Sequence, residues 1–229
     1  GLGSKVAITY QTNASADGNS TNPAVTSANA AGANRFSLIG IYAGGDETIS
    51  AISRGGQTPT LIRRYNLASG SSNTLWLYGL VNPDAGAQSI SVTKSAASLW
   101  AIAEALYTGV HQSTPYGTEA VADNSGTTPI SVAVSSAVGE LVVDVTIGAS
   151  NVAAVGAGQT SRLNTDFAGN LGYRSFCMSE EAGAASVTMS WDLTGPSGRS
   201  GIIALPLIAA AAGGNARVAA NSYRQRRAA

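Results

Sequence analysis

The feature that most restricts the fold of this 229-residue sequence is a succession of short apolar runs, each ended by residues that favour turns. Several runs alternate apolar and polar residues strictly. In the range 187–193, Val, Met, Trp and Leu alternate with Thr, Ser and Asp, which is the period of two of a half-buried β-strand. No stretch of the sequence has apolar residues at a helical period over enough residues to predict a helix. The sequence therefore predicts an all-β protein of about a dozen short strands.

The stretch from Thr74 to Gly117 contains three of these runs in succession. The first, 75–81, ends at an Asn-Pro-Asp-Ala-Gly segment, where proline and glycine specify a turn. The second, 89–93, alternates, and the third, 99–107, is apolar on both faces except at Glu104. We expect the three runs to form an antiparallel meander, with the third run as a central strand covered on both sides.

Turn signals recur along the whole chain at intervals of about 8–12 residues, which is typical of antiparallel sandwiches and jelly rolls. The predicted fold is thus an antiparallel β-sandwich, jelly-roll-like, with a short basic C-terminal tail. No break in composition divides residues 1–208, so we expect a single sandwich domain there. Within it, residues 12–33 contain almost no large apolar side chains and are predicted to be a long loop or an edge segment.

The end of the chain differs from the rest. Residues 209–214 form an Ala/Gly linker, and the basic C-terminal arm that follows contains four arginines, Arg217, Arg224, Arg226 and Arg227. The chain has 13 basic and 13 acidic residues, so without these arginines the body has a net charge of 9 − 13 = −4. An acidic body with a basic arm predicts anchoring onto an acidic partner, including another copy of the body. A solvated end is the alternative, and nucleic acid is not a predicted partner.

Composition narrows the class of protein. Only 11% of residues are charged, against about a quarter in average proteins, which is typical of extracellular or particle-forming β proteins. The single cysteine, Cys177, excludes an internal disulfide and lies in an apolar run, so a buried inert thiol is expected. No run approaches the roughly 18 apolar residues of a membrane span, and the first ten residues lack a signal-peptide core, so no membrane partner is predicted.

Residues that could carry chemistry are few. A Ser-His-Asp triad would have to use His111, the sole histidine, but no G-x-S-x-G motif accompanies it, and we expect a loop histidine that bonds nearby backbone. One histidine and one cysteine cannot form a zinc site. Glu104 has no evident second acid, so an ion pair is expected, while Glu140 and Asp144 are expected on the solvated face of a strand. The sequence predicts no catalytic residue, metal or cofactor.

Sandwich proteins often bind sugars through exposed aromatic side chains beside polar loops. Three aromatic residues lie inside strands that are apolar on both faces and are expected in the core: Trp76, Tyr78 and Trp100. Three others lie near strand ends, where we expect exposure, and these are the candidate glycan contacts: Tyr65, Tyr107 and Tyr116.

The spacing of several short motifs resembles that of β-sandwich modules found in phage virion proteins and in secreted bacterial surface proteins. The motifs are Gly55-Gly56-Gln57, Leu75-Trp76-Leu77-Tyr78, Ile90-Ser91-Val92-Thr93, the YTGVHQSTPYG run at 107–117, Gly139-Glu140-Leu141-Val142-Val143 and the strand 187–191. The resemblance covers roughly residues 35–208. It implies a jelly-roll-like sandwich with a binding or structural role, and it carries over no catalytic residues.

The expected function is therefore non-enzymatic: a structural protein of a phage or phage-like particle, as a head decoration, a head spike or fibre, or a tail subunit. Such a protein is made in the host cytoplasm, resides in the virion and can contribute to host-surface attachment. Its partners would be other virion proteins, copies of itself and cell-surface polysaccharide. The alternative is a secreted, extracellular carbohydrate-binding or adhesin module. A third hypothesis is an esterase or glycosidase using His111 or Glu104.

Overall fold

The computed structural model describes residues 4–67, 73–125, 129–148, 152–166, 174–194 and 199–212, which form sixteen strands and no helix. The strands of the first half are β1 Thr9–Ser20, β2 Ala24–Thr26, β3 Phe36–Ala43, β4 Ile49–Arg54, β5 Thr60–Asn66, β6 Thr74–Val81, β7 Ser89–Lys94 and β8 Ser98–Thr108. Those of the second half are β9 Ala120–Ser125, β10 Ile130–Ser135, β11 Leu141–Gly148, β12 Val152–Val155, β13 Thr160–Asp166, β14 Ser175–Ala182, β15 Ser186–Thr194 and β16 Arg199–Leu207.

The two halves of the chain have the same strand topology. In the first half, a five-stranded sheet has the order β1-β8-β3-β6-β5 and a three-stranded sheet has the order β2-β7-β4. In the second half, the orders are β9-β16-β11-β14-β13 and β10-β15-β12, so adding eight to each strand number converts one half into the other. All pairings are antiparallel. Each half is thus an eight-stranded jelly-roll unit made of two sheets.

Local irregularities repeat as well. The pairing of β5 with β6 shifts register at Ile62, and the pairing of β13 with β14 shifts at Arg162, which are the third residues of their strands. Such bulges are specific features of a sheet rather than random defects. Each half also joins the end of its bulged strand to the next strand by a side-chain bond, Thr74 to Asn66 at 3.2 Å and Ser175 to Asp166 at 2.5 Å. The halves are therefore two structural repeats of one unit.

The four sheets stack in the order three, five, five and three strands, with a hydrophobic core in each of the three spaces. The central core lies between the two five-stranded sheets and takes large side chains from both halves, among them Phe36, Tyr107 and Phe176. The outer core of the first half contains Trp76 and Trp100, and that of the second half contains Trp191. Because both faces of each five-stranded sheet are covered, its middle strands are buried along most of their length and are mainly apolar.

The two repeats approach each other most closely at the centre of the stack. Gly40 is the fifth residue of β3, and Val145 is the fifth residue of β11. A Cβ atom added at Gly40 would lie 2.3 Å from Cγ2 of Val145 and 3.3 Å from the ring of Phe176. Equivalent residues of the two repeats therefore meet across the central core, as they do when two units are related by a two-fold axis. A side chain at position 40 would force the sheets apart.

The structure confirms the predicted all-β sandwich, and it corrects the predicted meander. The run 75–81 forms β6 in the five-stranded sheet, whereas 89–93 falls in β7 of the three-stranded sheet, and β8 pairs with β1 and β3. In a jelly roll, strands that follow each other along the chain often lie in different sheets, so a short turn does not establish pairing. The expectation that 99–107 is a central strand covered on both sides is confirmed, because its residues from Trp100 to Tyr107 are buried.

Two other segments lie at sheet edges. Of the two structures predicted for residues 12–33, a long loop or an edge segment, the structure shows the edge segment, since β1 lies at one margin of its sheet and pairs with β8 along its length. Residues Asp123 to Ser125, whose side chains are typical of a turn, instead belong to the edge strand β9 and pair with β16. In both cases small polar residues are compatible with a half-buried edge strand. Among the described residues there is no helix long and apolar enough to cross a membrane.

Candidate functional site

A cleft lies where the connection between β8 and β9 passes over the start of β5 and the end of β6. It has a volume of about 300 Å³ and is lined by Phe36, Thr60, Gly79, Leu80, Val81, Gln112, Ser113, Pro115 and Tyr116. The Tyr116 ring packs against that of Phe36, with their centroids 6.1 Å apart. None of the described residues that line this cleft is charged. The Tyr116 cleft therefore combines an aromatic wall with hydroxyl and amide groups at the protein surface.

Backbone bonds hold the loop that forms this cleft. His111 donates its N–H to the carbonyl of Ile208 at 2.8 Å, and Ile208 donates in return to the carbonyl of Pro115 at 2.9 Å. The His111 ring completes the turn, because its Nδ1 accepts the backbone N–H of Thr114 at 3.0 Å. The expected role of His111 as a loop residue that bonds nearby backbone is thus confirmed. The cleft is preformed by the fold, with the last strand as its support.

The three tyrosines expected to be exposed differ in position. Tyr116 lies in the cleft and is half-buried. The expectation for Tyr107 is wrong: it is 1% exposed, its ring packs in the central core against Tyr10 at a centroid distance of 5.9 Å, and burial raises its pKa well above the usual value. The second repeat covers this end of β8, which cannot be read from strand position alone. Tyr107 therefore cannot contact a glycan.

Tyr65 joins the two repeats. It is half-buried on β5, and its hydroxyl donates to Oδ1 of Asp123 on β9 at 2.5 Å. Burial, together with the carboxylate of Asp123, raises the pKa of Tyr65 to about 12, so the phenol stays protonated and keeps donating. Tyr65 therefore forms a contact between the two repeats, and it does not line the Tyr116 cleft.

Glu104 is fully buried in the first repeat and forms the expected ion pair. Its Oε1 accepts from Nε of Arg54 at 2.6 Å and from the hydroxyl of Ser37 at 2.6 Å, and its Oε2 accepts the N–H of Ala28 at 2.9 Å. The remaining guanidinium nitrogens of Arg54 donate to the carbonyls of Asp84 and Ala28, each at 3.1 Å. A buried charge pair needs this degree of satisfaction to be tolerated. The network ties the segment before β3 to the sheet.

Asp144 is the buried acid of the second repeat, and the expected solvated position is wrong. Its carboxylate accepts from the indole N–H of Trp191 at 3.1 Å and from the hydroxyl of Ser179 at 2.5 Å. Burial raises its pKa to about 7, and the bonds from Ser179 and Trp191 lower it only in part. Among the described residues, no lysine or arginine forms an ion pair with it. The carboxyl of Asp144 therefore titrates near neutral pH inside a core.

The two buried acids occupy the same rung of the repeated ladder. In the first repeat, Ile39 of β3 pairs with Glu104 of β8, and in the second, the equivalent Asp144 of β11 pairs with Ala204 of β16. The alternation along β11 places Asp144 on the face that points away from the central core. Alternation does not show that the three-stranded sheet covers this second face, so the sequence did not predict the burial of Asp144. The signal available was Trp191, whose indole N–H needs an acceptor when it is buried.

The other predicted residues are Cys177 and the four arginines of the basic arm. Cys177 is buried as expected, and burial raises the pKa of its thiol well above the usual value. The anchoring residues Arg217, Arg224, Arg226 and Arg227 lie outside the described residues. The segment that leads to them is described as far as residue 212, and residues 209–212 are held by backbone bonds instead of forming the first part of a free linker. Within the described ranges, no three His, Cys, Asp or Glu side chains are grouped as metal ligands.

Both ends of the described chain lie side by side. Val6 donates its N–H to the carbonyl of Ala210 at 2.8 Å, and Ala212 donates to Ser4 at 2.7 Å. Ala210 also donates to the carbonyl of Gly109 at 2.8 Å, next to the end of β8. The last described residues before the basic arm, Ala210 and Ala212, are therefore bonded to the body at a defined place. Comparisons with protein-family models, with curated proteins and with solved structures found no match for this chain.

Proposed function

We propose that this chain is a non-enzymatic structural protein of a phage or phage-like particle, as a head decoration, a head spike or fibre, or a tail subunit. In this proposal the basic arm anchors each subunit on the acidic body of its neighbour. The observation that carries the proposal is the bonding of residues 209–212 to residues 4–6 and to Gly109. These bonds connect the residues that precede the arm with Gly109, which directly follows β8, and β8 pairs with β1 on one side and β3 on the other.

Charge supports the choice of another copy of the chain as the partner. The body has a net charge of −4, and the arginines 217, 224, 226 and 227 give the arm +4. Opposite net charges on two parts of one chain favour contacts between copies, and such contacts weaken as salt screens them. The partners in this proposal are thus copies of the chain together with other virion proteins, and the location is the virion.

The use of the buried charges also fits a structural role. Arg54 and Glu104 are 0% exposed, and the Lys94 Nζ atom lies 3.0 Å from Oε2 of Glu47, also inside the first repeat. These groups fix strands and loops of the body. The proposal accordingly gives Glu104 no reaction and places the function in surfaces that contact partners.

The test of the anchor is deletion of residues 215–229. We expect the deletion to lower the number of copies per purified particle at least tenfold, measured by quantitative mass spectrometry, while the thermal unfolding midpoint stays the same. A chain with Gln at the four arginine positions should behave like the deletion. Arg64→Gln is the matched control, because it removes a surface arginine that pairs with Asp46 on the body. Unchanged copy number in the truncated chain would end the anchoring proposal.

A secreted carbohydrate-binding or adhesin module is the competing proposal, and the Tyr116 cleft is the observation that favours it. The two proposals predict different results for the same truncated protein. Removal of the arm should abolish particle incorporation under the first proposal. Under the second, the protein has no particle to enter, and its binding to cell-surface glycans should survive the truncation.

A further inference from the structure

We infer that the Tyr116 cleft binds one residue of a neutral polysaccharide. The inference does not depend on the anchoring role of the arm, because the cleft is built entirely from the described body. Its volume of about 300 Å³ lies at the lower end of the range for small-ligand sites, which suits a single sugar ring.

The walls of the cleft fit the two sides of a sugar. The Tyr116 ring, supported by Phe36 and flanked by Pro115, offers an apolar face against which the C–H face of a sugar ring can pack. Thr60 and Ser113 are exposed and bring hydroxyl groups to the rim. A sugar ring presents apolar C–H groups and hydroxyls together, and so does this lining.

Gln112 supplies an oriented acceptor. Its amide nitrogen donates to the carbonyls of Val110 at 2.8 Å and of Arg35 at 3.3 Å, so both N–H groups are used by the backbone. Its Oε1 accepts no hydrogen bond within the described part of the chain. An amide carbonyl held in this way can accept a sugar hydroxyl with little loss of side-chain entropy.

The lining of the Tyr116 cleft is unfavourable for two other classes of ligand. An anionic sugar would need an arginine, a lysine or several convergent N–H groups, and the described lining has no charged side chain. A purely apolar ligand would bury the hydroxyls of Thr60 and Ser113 and the Oε1 atom of Gln112 without hydrogen-bond partners, which is unfavourable. A neutral sugar needs no charged side chain, and its hydroxyls provide partners for the polar groups of the lining.

The experiment is binding of the full chain to an array of neutral hexose oligosaccharides, with uronate- and sialic-acid-terminated oligosaccharides on the same array. We expect binding to members of the neutral group. Tyr116→Ala should weaken that binding at least tenfold. Ser113→Glu should do the same without touching the core, because Ser113 is exposed and the new carboxylate would stand at the rim. Ser131→Glu is the matched control, since Ser131 is exposed on β10 of the other repeat and should leave binding unchanged.

Each other outcome overturns the inference. Absence of binding to any neutral oligosaccharide would do so, as would a preference for the acidic ones. Neutral binding that Ser113→Glu leaves intact would place the glycan elsewhere on the molecule. Tyr116→Ala can disturb the packing on Phe36, and for this reason the Ser113 variant, checked by its thermal unfolding midpoint, is decisive. Failure here is separate from failure of the anchor, because the array contains no particle.

Discussion

At the scale of single residues, each repeat contains a buried carboxyl group in its outer core, and the two groups have different partners. Glu104 in the first repeat has a cation, Arg54, at 2.6 Å and two further donors, the Ser37 hydroxyl and the Ala28 N–H. Asp144 in the second repeat has hydrogen-bond donors alone, and its pKa is raised to about 7, chiefly by burial. An unpaired buried carboxylate is costly, so the second repeat is stabilised when this group binds a proton.

Replacement of Asp144 by Asn should remove a pH dependence of stability. The folded pKa of about 7 lies above the ordinary value of 3.8, so the contribution of Asp144 is fully present below about pH 4, declines as the pH rises, and is lost above about pH 7. The full effect is roughly 4 kcal/mol, at about 1.36 kcal/mol for each unit of pKa. Urea unfolding between about pH 4 and pH 8 should show a smaller decline for Asp144→Asn than for the unmodified chain.

Asp192→Asn is the control for this measurement, because Asp192 lies on the exposed face of β15 in the same repeat. Its stability should follow the pH dependence of the unmodified chain. Equal slopes for Asp144→Asn and the unmodified chain would show that Asp144 does not hold a proton in the folded protein.

At the scale of the strands, the fold depends on close contact between β3 and β11. Gly40 leaves room for Val145, and the β3 side of the central core is otherwise filled by large side chains such as Phe36 and Tyr42. Interiors packed to this density have no free volume for an added methyl group. The contact between the repeats is therefore sensitive at one position of one strand.

Gly40→Ala should destabilise the protein by about 1–3 kcal/mol, as added volume does in a filled core. Gly44→Ala is the matched control, since an added Cβ there has its nearest neighbour at 3.5 Å, an ordinary contact. Urea unfolding gives both values. The double variant Gly40→Ala with Val145→Ala should lose less stability than the sum of the losses of the two single variants, because the Cγ2 atom that clashes with the added methyl group is then absent. A loss of equal size for Gly40→Ala and Gly44→Ala would contradict the close approach of the repeats.

The strands themselves could be predicted from the sequence, whereas their partners could not. Alternation at 187–193 identified the inward side chains correctly, and the double apolar pattern of 99–107 identified a covered strand. Pairing depends on contacts far apart in sequence, so a turn after 75–81 gave the wrong neighbour for β6. The same limit explains Tyr107 and Asp144, which are buried by strands from distant parts of the chain. Of the Tyr116 cleft, only the aromatic residue was anticipated.

At the scale of the whole molecule, the described chain is two jelly-roll repeats joined through a shared central core, and the residues that precede the basic arm are bonded to residues 4–6. The two five-stranded sheets are covered on both faces, so the surfaces left for partners are the outer sheets, the edges and the loop at Tyr116. The central claim is that this body associates with its own copies through the arm, by attraction between an acidic body and four arginines.

The most direct test of that claim is the mass of the chain in solution, measured by light scattering at about 50 mM and about 500 mM salt. At the lower salt concentration, the full chain should have the mass of two or more copies, and the chain with Gln at positions 217, 224, 226 and 227 should have the mass of one. At the higher salt concentration both should approach the mass of one copy. A full chain that has the mass of one copy at low salt, or that associates equally well with and without its arm arginines, would contradict the claim.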